Sequence, residues 1–472
     1  MTSSNAVFPS PVLSSQVSKF LCLTVTLVGL LFSTAPTFAE KYEFQEPAQD
    51  SRTFNVDSTI KVKGQLETAI KSGQARSLEL DVDGKLQYLE RRLPGTGRDA
   101  EAFRSLRYYE TATATIDVQG QKTYARGSDK HRLIVAEGKA EGLSLHSPNS
   151  NLLPAELELL NSPGDTLPVL ALLPQSDVEV GEVWTPDSWV LQSLTGLEAV
   201  LKSELTCQLD SVEDDLATIT FKGKVEGATV GAQTEISVSG KLQFRIDQNF
   251  ISHLEMEQQE KRSVGSVSPG MKVTATVNWD RSLADAPGPL TDEVVASIPL
   301  ETKPESKFLS FEPPWNIRLL LPRDWYVFHQ TGQVAVLRLL DKGSLIAQAN
   351  ISKIPTVKPG EHTSEEQFHQ DIRTSLGDKL IKILKAENLS TDDGRYIHRV
   401  TVAGKANDVP VQWIYYLCAA PSGRQVSFVF TVDEKLREQL NDRDSDIVLS
   451  LEFLEPQAAP QQAGPTETSE LK

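Results

Sequence analysis

Thr234-Glu235-Ile236-Ser237-Val238 and Leu242-Gln243-Phe244-Arg245-Ile246 alternate apolar and polar side chains step by step. A strand turns successive side chains to opposite faces, so Ile236, Val238, Leu242, Phe244 and Ile246 share one face. Their polar neighbours share the other. One buried and one wet face marks an antiparallel sheet, because parallel sheets are covered on both sides. The same alternation recurs in Leu78–Val82, Leu86–Leu89, Ala217–Phe221 and Val273–Val277. Asp83-Gly84 between the first two of these runs reads as a tight hairpin turn. Gly84-Lys85-Leu86-Gln87-Tyr88 echoes Gly240-Lys241-Leu242-Gln243-Phe244, a slight sign of internal duplication. Pro154–Leu160 and Leu167–Leu173 are short and apolar, and read as helices or a covering loop.

Downstream, Asp285-Ala286-Pro287-Gly288-Pro289 through Thr302-Lys303-Pro304 is rich in proline and small residues, which is linker composition. Beyond it strand and helix mix. Trp315, Ile317, Leu319 and Leu321 alternate until Pro322. Val334–Leu340 and Leu345–Ile354 flank Asp341-Lys342-Gly343, a hairpin turn. Thr363-Ser364-Glu365-Glu366 reads as a capping box. It opens a helix with Phe368, Ile372 and Leu376 on one stripe. Strands are expected at Arg395–Val402, Val409–Cys418 and Gln425–Val432, then a second capping box at Thr431–Glu434 and a helix with Leu436 and Leu440. Val409–Cys418 is apolar on both faces, which places it centrally, covered on both sides. The expected fold class is therefore α+β. An antiparallel β-rich N-terminal domain (40–282) is followed by a Pro-rich linker (283–306), a second domain (307–454) and a disordered tail (455–472).

At the other end, the 13 apolar residues Phe20–Phe32 follow a nearly uncharged stretch and precede Thr37-Phe38-Ala39. That is the layout of a signal peptide cleaved before Glu40. The run is short for a spanning helix, which needs roughly 20 residues. The mature chain is thus expected to be exported, periplasmic or extracellular, with no stable membrane span after cleavage. It would keep only Cys207 and Cys418. Each sits in an apolar strand, and both are read as free buried thiols rather than a disulfide. Lys and Arg number 47 against 64 Asp and Glu, a formal net charge of −17. Such a field repels phosphate backbones and argues against nucleic acid.

With these elements in order, the second domain resembles the PsbP-like superfamily. This fold is shared by the photosystem II extrinsic protein PsbP, the Ran-binding Mog protein and the DcrB lipoprotein. The resemblance is carried by an opening strand ending Leu321-Pro322-Arg323-Asp324-Trp325, then a hairpin and a capped helix. A meander through Trp413-Ile414-Tyr415-Tyr416 and a closing helix into Ser450-Leu451-Glu452-Phe453 complete it. It covers about a third of the chain. It implies an α/β/α sandwich with a central antiparallel sheet, a binding or assembly role, and no transferable active-site residues. The first domain is loosely similar to the curved sheets of periplasmic lipid carriers of the LolA type.

The chain has no Gly-x-x-x-x-Gly-Lys loop, His-Glu-x-x-His, Cys-x-x-Cys or Gly-x-Ser-x-Gly. Glu361, His362, Glu365, Glu366, His369 and Asp371 form the richest ligand set. Seven residues along a helix are two turns, about 10.5 Å, too far for His362 and His369 to share one ion. They read as a solvated face. Asp442-Arg443-Asp444-Ser445-Asp446 starts like a calcium loop but has Ile447 and Phe453 where glycine and glutamate are required, so it reads as a helix break. Asp81-Val82-Asp83-Gly84 reads as a turn, His398 as a core histidine, and Trp184 with Trp189 as packing. No catalytic, cofactor-binding or metal-binding residue is assigned. The favoured expectation is an exported, non-enzymatic binding or scaffold protein. Its partner would be a protein or a hydrophobic small molecule, and its working surface the water-facing sheet face or the groove between domains. The alternative is a periplasmic carrier of a lipid or other hydrophobic ligand, its N-terminal sheet curling over Leu157, Leu159, Leu170 and Leu172. The two readings part on whether the sheet's interior is filled by its own side chains. A hydrolase stays possible only through residues assembled in space, which sequence does not display.

Overall fold

The computed structural model describes residues 40–69, 75–96 and 99–455. The expected signal peptide (1–39) and all but the first residue of the expected tail lie outside them.

In chain order the first body runs β1 (Lys41–Tyr42), β2 (Thr53–Ala69), β3 (Ala75–Leu93), β4 (Arg104–Val118), β5 (Gln121–Arg126), β6 (Leu133–Lys139) and β7 (Gly142–His146). Helix α1 (Pro154–Leu160), β8 (Val178–Glu179), β9 (Val183–Trp184) and helix α2 (Ser188–Thr195) come next. A meander then closes it: β10 (Ala199–Glu213), β11 (Leu216–Thr229), β12 (Ala232–Arg245), β13 (Phe250–Arg262) and β14 (Gly270–Leu283). Twelve of these strands form one antiparallel sheet, β7-β6-β4-β3-β2-β14-β13-β12-β11-β10-β9, with β5 also pairing β4. Its halves join where β2 pairs with β14.

The Asp83-Gly84 hairpin is not there. β3 runs straight through these residues, pairing with β2 from Ala75 to Arg91, and Gly84 lies opposite Ile60. The physical reason is parity. Leu78, Leu80, Val82, Leu86 and Tyr88 all fall on even positions, so the buried face continues unbroken across the Asp-Gly pair. Gly84 also lacks the positive φ that the turn would require.

One face of the sheet is covered by the segment between its halves. Leu160, Leu167, Val169, Leu172, Leu191 and Leu194 pack there against Ile219, Phe221, Leu242, Phe244, Leu254 and Trp279, all buried. Each such side chain contributes about 1.5–3 kcal/mol. Along the same core runs a buried ionic network. Arg107 holds Asp165 through two hydrogen bonds of 2.7 and 2.6 Å and Glu90 at 3.1 Å. Arg92 and Arg281 both hold Glu46. Three arginines face three carboxylates, so the network is neutral, a condition for burying it.

Residues 283–306 lie along this body. They contain α3 (Asp292–Ser297), and Leu290 is fully buried among Leu93, Leu106 and Val135. The chain continues through β15 (Leu309–Phe311), β16 (Ile317–Leu321), β17 (Trp325–Gln330), β18 (Val334–Asp341), β19 (Ser344–Ile354) and α4 (Glu365–Leu376). It ends with β20 (Leu380–Leu389), β21 (Tyr396–Ala406), β22 (Val409–Ala419), β23 (Gln425–Asp433), α5 (Arg437–Leu440), α6 (Arg443–Leu449) and β24 (Glu452–Phe453). A seven-stranded antiparallel sheet has the order β17-β18-β19-β23-β22-β21-β20. β16 pairs instead with β15 and β24. Phe368, Ile372 and Leu376 of α4 pack with Trp413, Tyr415 and Leu417 on one face of β22. Ile414, Tyr416 and Cys418 on its other face join the core that holds Leu440, Ile447 and Val448. Ser364, not Thr363, caps α4, and Asp433, not Thr431, caps the turn before α5. From Lys41 onward the described residues belong to one compact unit. Cys207 and Cys418 are both free and buried.

Candidate functional site

The inner face of the first sheet is only partly filled. Where β2, β3, β4 and β5 run beyond the covering leucines, a cavity of about 640 Å³ remains between the sheet and α1. Period-2 alternation puts Ile60, Val62, Val82, Ala114 and Ile116 on its floor, and α1 adds Leu159. These side chains are half-buried, whereas Leu86, four residues beyond Val82 on the same face of β3, is buried. Leu157 and Leu159 are likewise half-buried, while Leu170 and Leu172 belong to the closed core. Such volume and lining suit a small amphiphile. Among the described residues, no helix is long and apolar enough to cross a membrane.

A second cavity of about 240 Å³ adjoins the first and shares Thr113, Arg126, Ser128 and Glu156 with it. Glu156 is buried in the first turn of α1. Its Oε2 accepts the Leu153 N–H at 2.9 Å and faces His131 Nδ1 at 2.7 Å. Its Oε1 accepts the Ser128 N–H at 3.1 Å. His131 Nε2 lies 2.8 Å from the Oγ of Ser150, an exposed residue of the loop before α1. A carboxylate only accepts, so the neutral imidazole carries its hydrogen on Nδ1 and presents the Nε2 lone pair to the serine. Sequence reasoning missed this trio. Its members lie between residues 131 and 156, yet no motif links them, and only the packing of α1 against the 128–132 turn brings them together.

The residues weighed from the sequence lie elsewhere. His362 stacks flat on Tyr396 with ring centroids 3.6 Å apart. His369 Nε2 meets His398 Nε2 at 3.0 Å, and His398 Nδ1 meets Asn388 at 2.6 Å. The fold therefore brings His369 to His398, while His362 packs on Tyr396. Among the described residues, no group of three or more His, Cys, Asp or Glu is placed to hold a metal ion. Asp444 is buried and accepts hydrogen bonds from Tyr416 and Arg399. Trp184 donates to the Leu172 carbonyl at 3.0 Å, and Trp189 packs near Phe103. On the water-facing side of the first sheet lies a polar groove of about 900 Å³, its walls carrying Lys63, Asp81, Lys224, Glu235, Lys261 and Lys272.

No protein-family model matches the chain, and no curated protein does. Among solved structures, 31% of the chain aligns with 92% of the PsbP protein of the cyanobacterium Synechocystis sp. PCC 6803, at 16% identity and a TM-score of 0.25. A further alignment covers 51% of the chain and 26% of lipovitellin, in a structure of its lipid–protein interactions, at 9% identity and a TM-score of 0.28. The chain thus spans about a quarter of lipovitellin's length and most of that PsbP's. The translocator domain of the autotransporter NalP from Neisseria meningitidis aligns over 82% of the chain at 7% identity and a TM-score of 0.10. Likenesses at these scores carry no argument about function, which has to come from the chain's own geometry.

Proposed function

We propose that the chain, exported to the periplasm or beyond, binds the apolar part of a lipid or similar amphiphile between α1 and the inner face of its first sheet. The single observation that carries this reading is the unfilled apolar cavity beneath α1. Apolar surface left half-exposed in a trough is favourable to cover. The smaller cavity beside it offers Arg126, Ser128 and His131 to a head group. A second reading, scaffolding through the outer face, draws on the 900 Å³ groove with its intermixed lysines and carboxylates. For the second body we infer the PsbP-like α/β/α arrangement, supported by α4 on one sheet face and α5 and α6 on the other. The test is native mass spectrometry of the chain, then titration of the delipidated protein with a fluorescent fatty acid. The trough reading expects a bound lipid mass or saturable uptake, lost in Val62→Arg. Uptake by Val62→Arg equal to that of the wild type would overturn it.

A further inference from the structure

We propose that Ser150, His131 and Glu156 form a nucleophile, base and positioning carboxylate that hydrolyse carboxylic esters, with the acyl chain lying in the trough under α1. The order of contacts is the one that acyl transfer requires: an exposed hydroxyl on Nε2, and a buried carboxylate on Nδ1 of the same ring. Burial of Glu156 fixes the ring, because both of its oxygens are already tied to the Leu153 and Ser128 N–H groups. The hydroxyl meets solvent, so a substrate can reach it. His131 and Glu156 line the smaller cavity, which shares Thr113, Arg126, Ser128 and Glu156 with the trough, so the acyl chain of an ester held at the serine has the trough beside it.

The chemistry balances within these residues, the ester and water. Ser150 Oγ bonds to the ester carbonyl carbon as its proton passes to His131 Nε2. The C–O bond to the alcohol breaks, and the leaving oxygen takes that proton. Water then adds to the acyl carbon, its proton passing to Nε2. The Ser150 Oγ–C bond breaks, the serine recovers the proton, and a carboxylic acid leaves. Glu156 stays ionised, holding the Nδ1 hydrogen and the imidazolium that forms in each half. The inference rests on the amphiphile reading only for where the acyl chain lies.

The competing account makes the trio a clamp, with Glu156 simply capping α1. Two probes separate them in the full chain: 4-nitrophenyl butyrate, which is too short to need the trough, and a fluorophosphonate, which adds covalently to an activated serine. The expected result is hydrolysis at least 100-fold above that of Ser150→Ala, and a fluorophosphonate mass on the peptide containing Ser150. Glu156→Gln keeps a capping-box oxygen. It should lower kcat by on the order of 100-fold or more while leaving KM nearly unchanged. A wild-type rate equal to that of Ser150→Ala, with Ser150 unlabelled, overturns the inference. A Glu156→Gln protein that loses only thermal stability overturns the role given to the carboxylate. Fatty-acid uptake without ester cleavage sinks this inference and leaves the trough standing. Cleavage of the short ester without uptake does the reverse.

Discussion

Arg107 is wholly buried, with Glu90 and Asp165 on its guanidinium and the Tyr88 ring 5.1 Å away. Burial by itself would raise the Glu90 carboxyl. Arg92, Arg107 and Arg281 more than offset that and hold it down at about 2, against an ordinary 4.5. A carboxyl whose folded pKa is depressed contributes stability that is present above its unfolded pKa and lost as pH falls through the folded one. The wild type should therefore lose stability from about pH 4.5 downward, most of it by about pH 2. Arg107→Ala leaves two buried carboxylates short of a partner and should cost about 3–5 kcal/mol. Denaturant titrations of both proteins at pH 7 and pH 3 check this. A loss below about 1 kcal/mol would mean that the network relaxes to solvent. No sequence pattern announced these partners, because Glu46, Arg92, Asp165 and Arg281 meet only after the sheet has closed on its covering segment.

Elements matched the sequence where one face decides the pattern. The stripe of Phe368, Ile372 and Leu376 is buried as expected; of the strand expected to be covered over Val409–Cys418, Val411 and Trp413–Cys418 are buried, whereas Val409 and Pro410 are exposed and Gln412 is half-buried. β20 escaped notice because it is an edge strand whose side chains are mostly exposed, so it lacks an apolar rhythm. The Asp83-Gly84 error had the opposite cause: a strong local turn signal was outweighed by a continuous buried face. In β22, Trp413 packs under α4, and its ring fills the space above Gly404, where an added Cβ would come within 2.6 Å of it. Trp413→Ala should cost about 3–5 kcal/mol, as large aromatic truncations in cores do. Thermal unfolding of the variant measures it, and a shift too small to resolve would place Trp413 on a binding surface instead.

At the scale of the whole molecule, the two bodies meet through ordered contacts. Lys307 pairs with Glu137 at 2.6 Å, Arg323 donates to the Leu145 carbonyl at 2.7 Å, and the Ser310 N–H to the Leu152 carbonyl at 2.8 Å. His146 sits at this junction. Burial pushes it down to about 4 from 6.5, opposed by Glu137 and assisted by Lys307, Arg323 and Arg104. Its folded pKa is depressed, so its contribution is complete above about pH 6.5 and fades as pH falls through 4. His146→Gln should therefore flatten the fall in melting temperature between those values, and an unchanged slope would remove His146 as the cause. A 307–454 fragment should melt cooperatively but below the whole chain, since it loses these contacts; a melt without a transition would show that the second body needs the first. Alternation and helical stripes, read from the sequence alone, determined that the protein is antiparallel sheet with a few covering helices, because each residue's face is set by local geometry. Only tertiary structure decided that the first sheet outruns its filling, that Ser150, His131 and Glu156 touch, and that three arginines and three carboxylates share one dry core. Those outcomes depend on distances between segments remote in the chain, set by how far a sheet curls and where a short helix lands on it.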